Sequence, residues 1–550
     1  MTNRSLLLAL CAATALVPAS AVAGSIKLTP VLNAAPWMEG MVMPNAIAPE
    51  LVQIVAAQGA MPLENPTALL AAYGYGADGP MVPPANAIQA KDKIEASKTE
   101  PDKNTFLVLA DQKGPDAAYN YGTHFLFQGH EAGPMTADGK PQGYLTRINL
   151  DADVAHRVTL MADQATDGHP LPFIDGSTFN PFANRLLLTG EEGDEGGLWQ
   201  ATVDFPSKVD NLTGIAGFGS YEGVQVDPDG TVWLVEDAGG KAGETNKNAK
   251  QPNSFVFRLI PKDKTDLTKG GKLEALQIMD SAGQPINFHE GQADADIMSQ
   301  GIKDVHTYGT TLKTKWVLVH DTDKDGVTPF SANALAKTAG ATPLKRPENA
   351  VFRPGTDFRE FVIAETGDTN AKTEAGSEFG GFGGLLKLTQ AAPSAAEGEL
   401  TLVYLGNPEH TAFDNVAFWS ADEVLATEDR GDKLHGQENA LDSVWVIDLT
   451  ADYSKPEALP VRFLAEGRDT AATIDAGLAA LPDTGFQNDG DNEITGIHVS
   501  DGDASPAGLL GAKIPTPFEN GWRVFWTQQH GENITWEVLK KDMLLKTASQ

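Results

Sequence analysis

The sequence predicts an all-β fold built as a radial array of short hairpins, and three observations carry that expectation. Five segments share one layout: two alternating strands, a turn, and acidic or metal-capable residues at the open end. Turn formers are abundant, with 55 Gly and 34 Pro, while long helical periodicities are few. Repetition of short strand units is the mark of a propeller or a related array, and 550 residues suit one large domain of that kind.

In chain order, residues 1–23 read as a secretory signal peptide. Arg4 precedes the apolar run Leu6–Val17 and the small-residue site Ala21-Val-Ala23. The run is too short to span a bilayer, and no later segment is long and apolar enough, so a periplasmic or secreted protein is expected. A single Arg in the leader points to export unfolded by the general route, with any metal loaded outside the cytoplasm. Cys11, the one cysteine, lies in this leader, so the mature chain would have neither disulfides nor thiolate ligands.

Residues 24–104 read as an irregular, Ala- and Pro-rich lead-in. Pro49–Gln58 is expected to form a short amphipathic helix, and Lys91–Lys103 a solvated joint. Strand signals begin at Thr105 and continue through His124–Glu131 and Tyr144–Leu150, which places the propeller domain at 105–550.

The five hairpins follow. Phe173–Phe179, with Asp175, returns as Arg185–Glu192, ending in Glu191 and Glu192. Glu222 opens a strand that turns through Asp-Pro-Asp-Gly and returns to Glu236-Asp237. In Leu344–Asp368, Glu348, Ala350 and Phe352 alternate, Arg353–Asp357 turns, and Phe361, Ile363 and Glu365 alternate back. Asp414 opens a strand returning to Glu428-Asp429, and Glu493 one that returns, after a longer excursion, to Gln528–His530. Like charges opposed at hairpin ends repel, so a proton, a basic side chain or a metal ion must offset them. Arg346, two residues before Glu348, points to the same face if the strand is already extended there. The other reading is that Asp and Glu simply flank turns, as they do in many all-β proteins.

Between the hairpins, Ser254–Ile260, Gly384–Leu388 and Ser443–Ile447 read as outer strands, and 260–343 resists division into blades. Asp321–Gly326 opens like a calcium loop, but its twelfth position is Ala332, so a polar turn fits equally well. The formal net charge of −33 argues against nucleic acid and anionic membranes. It suits hard divalent cations, and it also suits the plain solubility of an exported protein.

Taken in order, Leu188-Thr-Gly-Glu191-Glu192, Tyr221-Glu222-Gly, Arg346-Pro-Glu348-Asn, Phe413-Asp414-Asn415, Glu493-Ile-Thr-Gly and Gln529-His530-Gly resemble the PhoX family of exported alkaline phosphatases. The resemblance implies a six-bladed propeller whose channel holds calcium ions and an iron pair and hydrolyses phosphate monoesters. Carried onto this chain, it makes Glu191, Glu192, Glu222, Glu348, Asp414 and Glu493 metal ligands and gives Arg346 a grip on phosphate. Two departures stand out: the mature chain has no cysteine for iron, only Asp175 or the backbone of Gly190 nearby, and the leader lacks a twin arginine. Both favour oxygen ligands and hard ions, so several Ca²⁺ are expected, with the iron pair absent or altered and Fe³⁺ kept as the alternative.

A channel of carboxylates repels a phosphate ester unless bound cations invert the field. Arg346 could then hold two phosphate oxygens, its alternative role being an ion pair with Glu348 or Glu365. Thr495 and Ser443 lack an evident base, which favours a metal-bound water over a covalent nucleophile. His530 would contact substrate, or else be a hydrogen-bonded loop residue. The expected partner is a small phosphate ester, with no nucleic acid or membrane, acting on a monomer. Two rival functions share the architecture: a calcium-dependent lactonase or phosphotriesterase, and a non-catalytic propeller whose metals hold blades together.

Overall fold

The computed structural model describes residues 27–36, 44–74, 99–131, 143–191, 196–467, 493–529 and 533–543. The leader at 1–23, with Cys11, lies outside them, as do Glu192, His530 and all of 75–98. Among the described residues no helix is long and apolar enough to cross a membrane.

Two short strands come first, β1 (Ala46–Ile47) and β2 (Leu51–Ala57). Strands β3 (Pro101–Val108), β4 (His124–His130), β5 (Tyr144–Asn149) and β6 (Val158–Ala162) then form an antiparallel meander. A second sheet holds β7 (Ile174–Asn180), β8 (Arg185–Gly190), β9 (Gly197–Ala201) and β10 (Val209–Asn211). The meander β11 (Tyr221–Val226), β12 (Val232–Glu236), β13 (Val256–Pro261), β14 (Gly271–Ile278) runs into the long strand β15 (Thr311–Asp321). That strand also pairs with the outer member of β16 (Asn349–Phe352), β17 (Glu360–Glu365), β18 (Gly384–Gln390), β19 (Glu397–Leu405), giving one nine-stranded sheet. Strands β20 (Phe413–Phe418), β21 (Glu423–Glu428), β22 (Ser443–Asp448) and β23 (Val461–Ala465) follow, with β1 on their outer edge. Last come β24 (Glu493–Ser500), β25 (Arg523–Gln529) and β26 (Ile534–Lys540), whose fourth strand is β2.

The arrangement is propeller-like. The first strands of the meanders, β3, β7, β11, β16, β20 and β24, pack side by side in that order, and β24 closes back on β3. Among the described residues the hydrogen-bonded sheets number five rather than six, because β15 bridges two meanders that are otherwise alike. Apolar side chains fill the space between sheets: Trp233 of β12 meets Phe352 and Phe361 of the next meander and Trp316 of β15 edge-on or tilted. Burial of each such side chain contributes about 1.5–3 kcal/mol.

Two local expectations need correction, and of the two readings of Asp321–Gly326 the polar turn is the one found. Pro49–Gln58 holds the strand β2, not a helix: Val52, Ile54 and Val55 are β-branched, and β26 offers them an open edge. The solvated joint ends early, since Asp102 and Lys103 lie in β3 and are buried. At Asp321–Gly326 the chain makes a helical turn, and the carboxylates face lysines: Asp323 lies 2.6 Å from Lys262, and Asp321 lies 3.3 Å from Lys324. The five hairpins themselves form where the alternation places them.

Candidate metal centre

Each first strand reaches the axis with one dipeptide: Asp102-Lys103, Asp175-Gly176, Glu222-Gly223, Glu348-Asn349, Asp414-Asn415 and Thr495-Gly496. In β3, β7, β11 and β20 the pairing register skips that dipeptide, while in β24 it skips Gly496 and Ile497, just after Thr495. A bulge of this kind bends the strand and re-aims a side chain, here at the inner end of the meander. Small residues then admit the neighbouring chain. A Cβ on Gly176 would lie 1.7 Å from the Glu222 carbonyl oxygen, and one on Gly496, at φ +60°, 3.0 Å from that of Asp102.

The outcome is a ring of Asp102, Asp175, Glu222, Glu348 and Asp414, each 2–6% exposed, with Thr495 in the sixth place. The second strands return to the same end, and the residue just beyond each adds another tier: Glu131, Glu191, Asp237, Thr366 and Asp429. Carboxylate oxygens gather within 4.8 Å of one another in three groups: Asp102, Glu131 and Asp175; Glu191, Glu222 and Asp237; Glu222, Glu348 and Asp414. Glu222 belongs to two of them. Hydroxyl and amide side chains tie the ring together. Thr495 donates to Asp102 and Thr366 to Glu348, while Gln529 Nε2 reaches Asp102 Oδ2 at 2.5 Å and Glu131 Oε2 at 2.7 Å.

So much buried acid strongly perturbs its own ionisation. Burial, then the Asp414 charge, pushes Asp102 up to about 7. Burial and Asp429 do the same for Asp414, and burial and Asp102 lift Glu131 to about 8. Asp175, Glu191, Glu222, Glu348 and Glu493 are held well above the carboxylate range, by burial first and like charges next. Two basic side chains answer from within. The Arg346 guanidinium clasps Asp237 through Nε (2.8 Å) and Nη2 (2.7 Å) and faces Glu348 Oε1 at 2.6 Å. Lys103 Nζ donates to Asn349 Oδ1 at 2.5 Å. Glu348 Oε1, fully buried, nevertheless has no hydrogen bond of acceptable geometry.

This donor set fits a hard divalent cation: oxygen only, several carboxylates per position, and more acid than its own bases can neutralise. It offers no thiolate, so a metal that needs a soft ligand does not fit.

The expected residues Asp175, Glu191, Glu222, Glu348 and Asp414 are therefore brought together, and Glu493 opens β24 within the field of Asp429, Glu131, Asp414 and Asp102. Arg346 reaches the ring through a left-handed backbone (φ 58°), not an extended strand, and is ion-paired with Glu348 as the alternative reading had it. Glu365 turns away instead, accepting the Lys345 N–H at 3.0 Å and meeting His306 Nε2 at 3.0 Å. Glu236 and Glu428 likewise bond within their own meanders, to the N–H groups of Phe255 and Ser443. Sequence reasoning missed Asp102, Lys103, Glu131, Asp237 and Asp429. The signal for most was the second residue of each strand-ending pair, such as Glu236-Asp237, since alternation sends only one of the two inward.

No family model matches the chain, and no curated protein does. Among solved structures it is similar to Pseudomonas fluorescens PhoX in complex with vanadate, a transition state analogue. That match has 10% identity and a TM-score of 0.51, over 93% of this chain and 98% of the other. The likeness establishes a PhoX-like fold. The soluble aldose sugar dehydrogenase of Escherichia coli, in its apo form, matches with 11% identity and a TM-score of 0.29, over 68% of this chain and 97% of that one. A score that low supports nothing further.

Proposed function

We propose that the chain is an exported, metal-dependent phosphatase that hydrolyses phosphate monoesters at a calcium-rich site in the channel of a six-bladed propeller. It would be a divergent relative of the PhoX enzymes. The blades are counted by their innermost strands, with β15 as an insertion between the third and fourth and with β1 and β2 of the lead-in on the outer edges of the last two. The observation that supports the reading is the convergence of Asp175, Glu191, Glu222, Glu348 and Asp414, from four separate hairpins, into one buried acidic cluster. Arg346 stands among them.

Asp102, Glu131 and Asp175 would hold one cation, and Glu222 would be shared between two more positions. Bound hard cations would supply Lewis acidity toward a phosphoryl oxygen and an acidified water. The chain's own part is positioning and charge. Asp237 fixes the guanidinium plane of Arg346 through Nε and Nη2, which leaves Nη1 for a phosphate oxygen and for the charge that grows on it in the transition state. Glu493 and His530 would complete the rim, the former as a further ligand and the latter as a substrate contact.

A second reading is favoured by the deep burial of the ring and by Arg346's existing ion pairs: metals that hold blades together without turnover. Assay of p-nitrophenyl phosphate, a lactone and a phosphotriester, each with and without chelator, separates the readings. Chelator-sensitive phosphomonoesterase supports the proposal. Lactone or triester turnover alone transfers it to the rival hydrolases, and metal uptake without any turnover supports the structural role.

A further inference from the structure

Arg346 holds a backbone conformation that a side-chain-bearing residue takes only at a cost: its φ is 58°, in the left-handed region. Pro347 follows it and narrows the conformations open to residue 346 still further. That φ sets the direction in which the side chain leaves the chain, and with it whether the guanidinium meets Asp237 and Glu348. A strained residue of this kind persists only where its surroundings over-determine it.

Those surroundings are the turn Glu365-Thr366-Gly367-Asp368, which meets Lys345 and Arg346 group by group. Glu365 Oε1 accepts the Lys345 N–H at 3.0 Å. The Thr366 N–H donates to the Arg346 carbonyl at 2.9 Å, and the Gly367 N–H to the Lys345 carbonyl at 3.1 Å. The last contact is an ion pair: Lys345 Nζ lies 2.8 and 2.9 Å from the two Asp368 oxygens, and both side chains are buried. Asp368 also accepts from the Thr373 hydroxyl at 2.5 Å and from the Lys250 N–H at 3.0 Å. Lys250 belongs to the segment that leaves β12 through Asp237, the residue Arg346 clasps. One buried carboxylate thus fastens the chain on both sides of the Arg346–Asp237 clasp. A buried ion pair contributes little net stability, so this one is better accounted for by the geometry it fixes. We propose that Asp368 is a positioning residue for Arg346: its ion pair with Lys345 locks the left-handed turn that aims the guanidinium at the acidic ring and at a phosphate oxygen. The proposal rests on the reading that Arg346 grips phosphate.

The test is a double-mutant cycle on D368N and R346A, read in calcium-saturated protein with p-nitrophenyl phosphate as substrate and inorganic phosphate as inhibitor. D368N should lower kcat/KM and weaken inhibition by phosphate, each about 10–10²-fold, with the calcium count of wild type. In the R346A background D368N should change neither value by more than about twofold, because the side chain it positions is gone. K345M/D368L removes both charges together and leaves none buried unpaired, so it carries the same comparison where D368N fails to fold. Equal losses in both backgrounds, or wild-type values in D368N, overturn the positioning role. Unfolding of both variants overturns it too, since Asp368 is then a residue of the fold alone. A wild-type protein without phosphomonoesterase activity overturns the phosphatase reading and this one with it.

Discussion

Glu222→Gln is the most informative single change, because Glu222 contributes an oxygen to two of the three carboxylate groups. The substitution preserves shape and burial and removes one charge. Two ionised carboxylates 4.8 Å apart repel by about 3.5 kcal/mol at an effective dielectric of about 20. Glu222 has four such neighbours, Glu191, Asp237, Glu348 and Asp414, so even partial ionisation loads the metal-free protein with several kcal/mol of strain. In chelator near pH 8, E222Q should therefore be more stable than wild type by a few kcal/mol. With calcium the order should reverse. Each site filled at about a thousand times its Kd adds about 4 kcal/mol to wild type, and E222Q forfeits most of that for two positions. Urea melts of both proteins, with chelator and with calcium, read the two differences. If E222Q loses the same stability in both conditions, Glu222 is an ordinary packing residue and the reasoning fails.

Metal-free stability should also fall as pH rises. Asp102 and Asp414 are raised from 3.8 to about 7, and Glu131 from 4.5 to about 8, so the native state holds their protons more tightly than the unfolded chain. That contribution is complete below about pH 4 and is lost as pH passes 7 to 8, so melts in chelator should decline across that window and calcium should abolish the decline. Arg346→Lys cannot reproduce the planar fork on Asp237 and should lower kcat/KM for p-nitrophenyl phosphate about 10²–10³-fold, with calcium content retained. Gly176→Ala puts a methyl 1.7 Å from the Glu222 carbonyl oxygen and should cost more than about 4 kcal/mol in a urea melt. Gly239→Ala, with nothing within 4 Å, should stay within about 0.5 kcal/mol of wild type.

The hairpins were legible because a half-buried meander writes itself as alternation between turn signals, and register is then set by the turn. The ring was legible in part for the same reason: an acid at a fixed offset from each turn marks a shared end. What the sequence concealed has physical causes. Asp102 and Lys103 follow a run of charges that elsewhere marks solvent, and their burial depends on partners from other blades: Thr495 and Gln529 donate to Asp102, and Lys103 donates to Asn349. Strand β2 forms because β26, nearly 500 residues away, is paired with β25 on one edge and open on the other, a long-range demand that local propensity does not register. The five-sheet count arises from β15, which satisfies β14 on one edge and β19 on the other. Which member of Glu236-Asp237 faces the axis depends on the bulge in the partner strand, a one-residue slip that composition does not reveal.

Elemental analysis of the purified protein before and after chelation addresses the core of the account most simply. The three oxygen-only groupings lead to the result of at least two calcium ions per chain, removable by chelator, and no stoichiometric iron. A protein that leaves purification without bound divalent metal and takes up none on dialysis would contradict it.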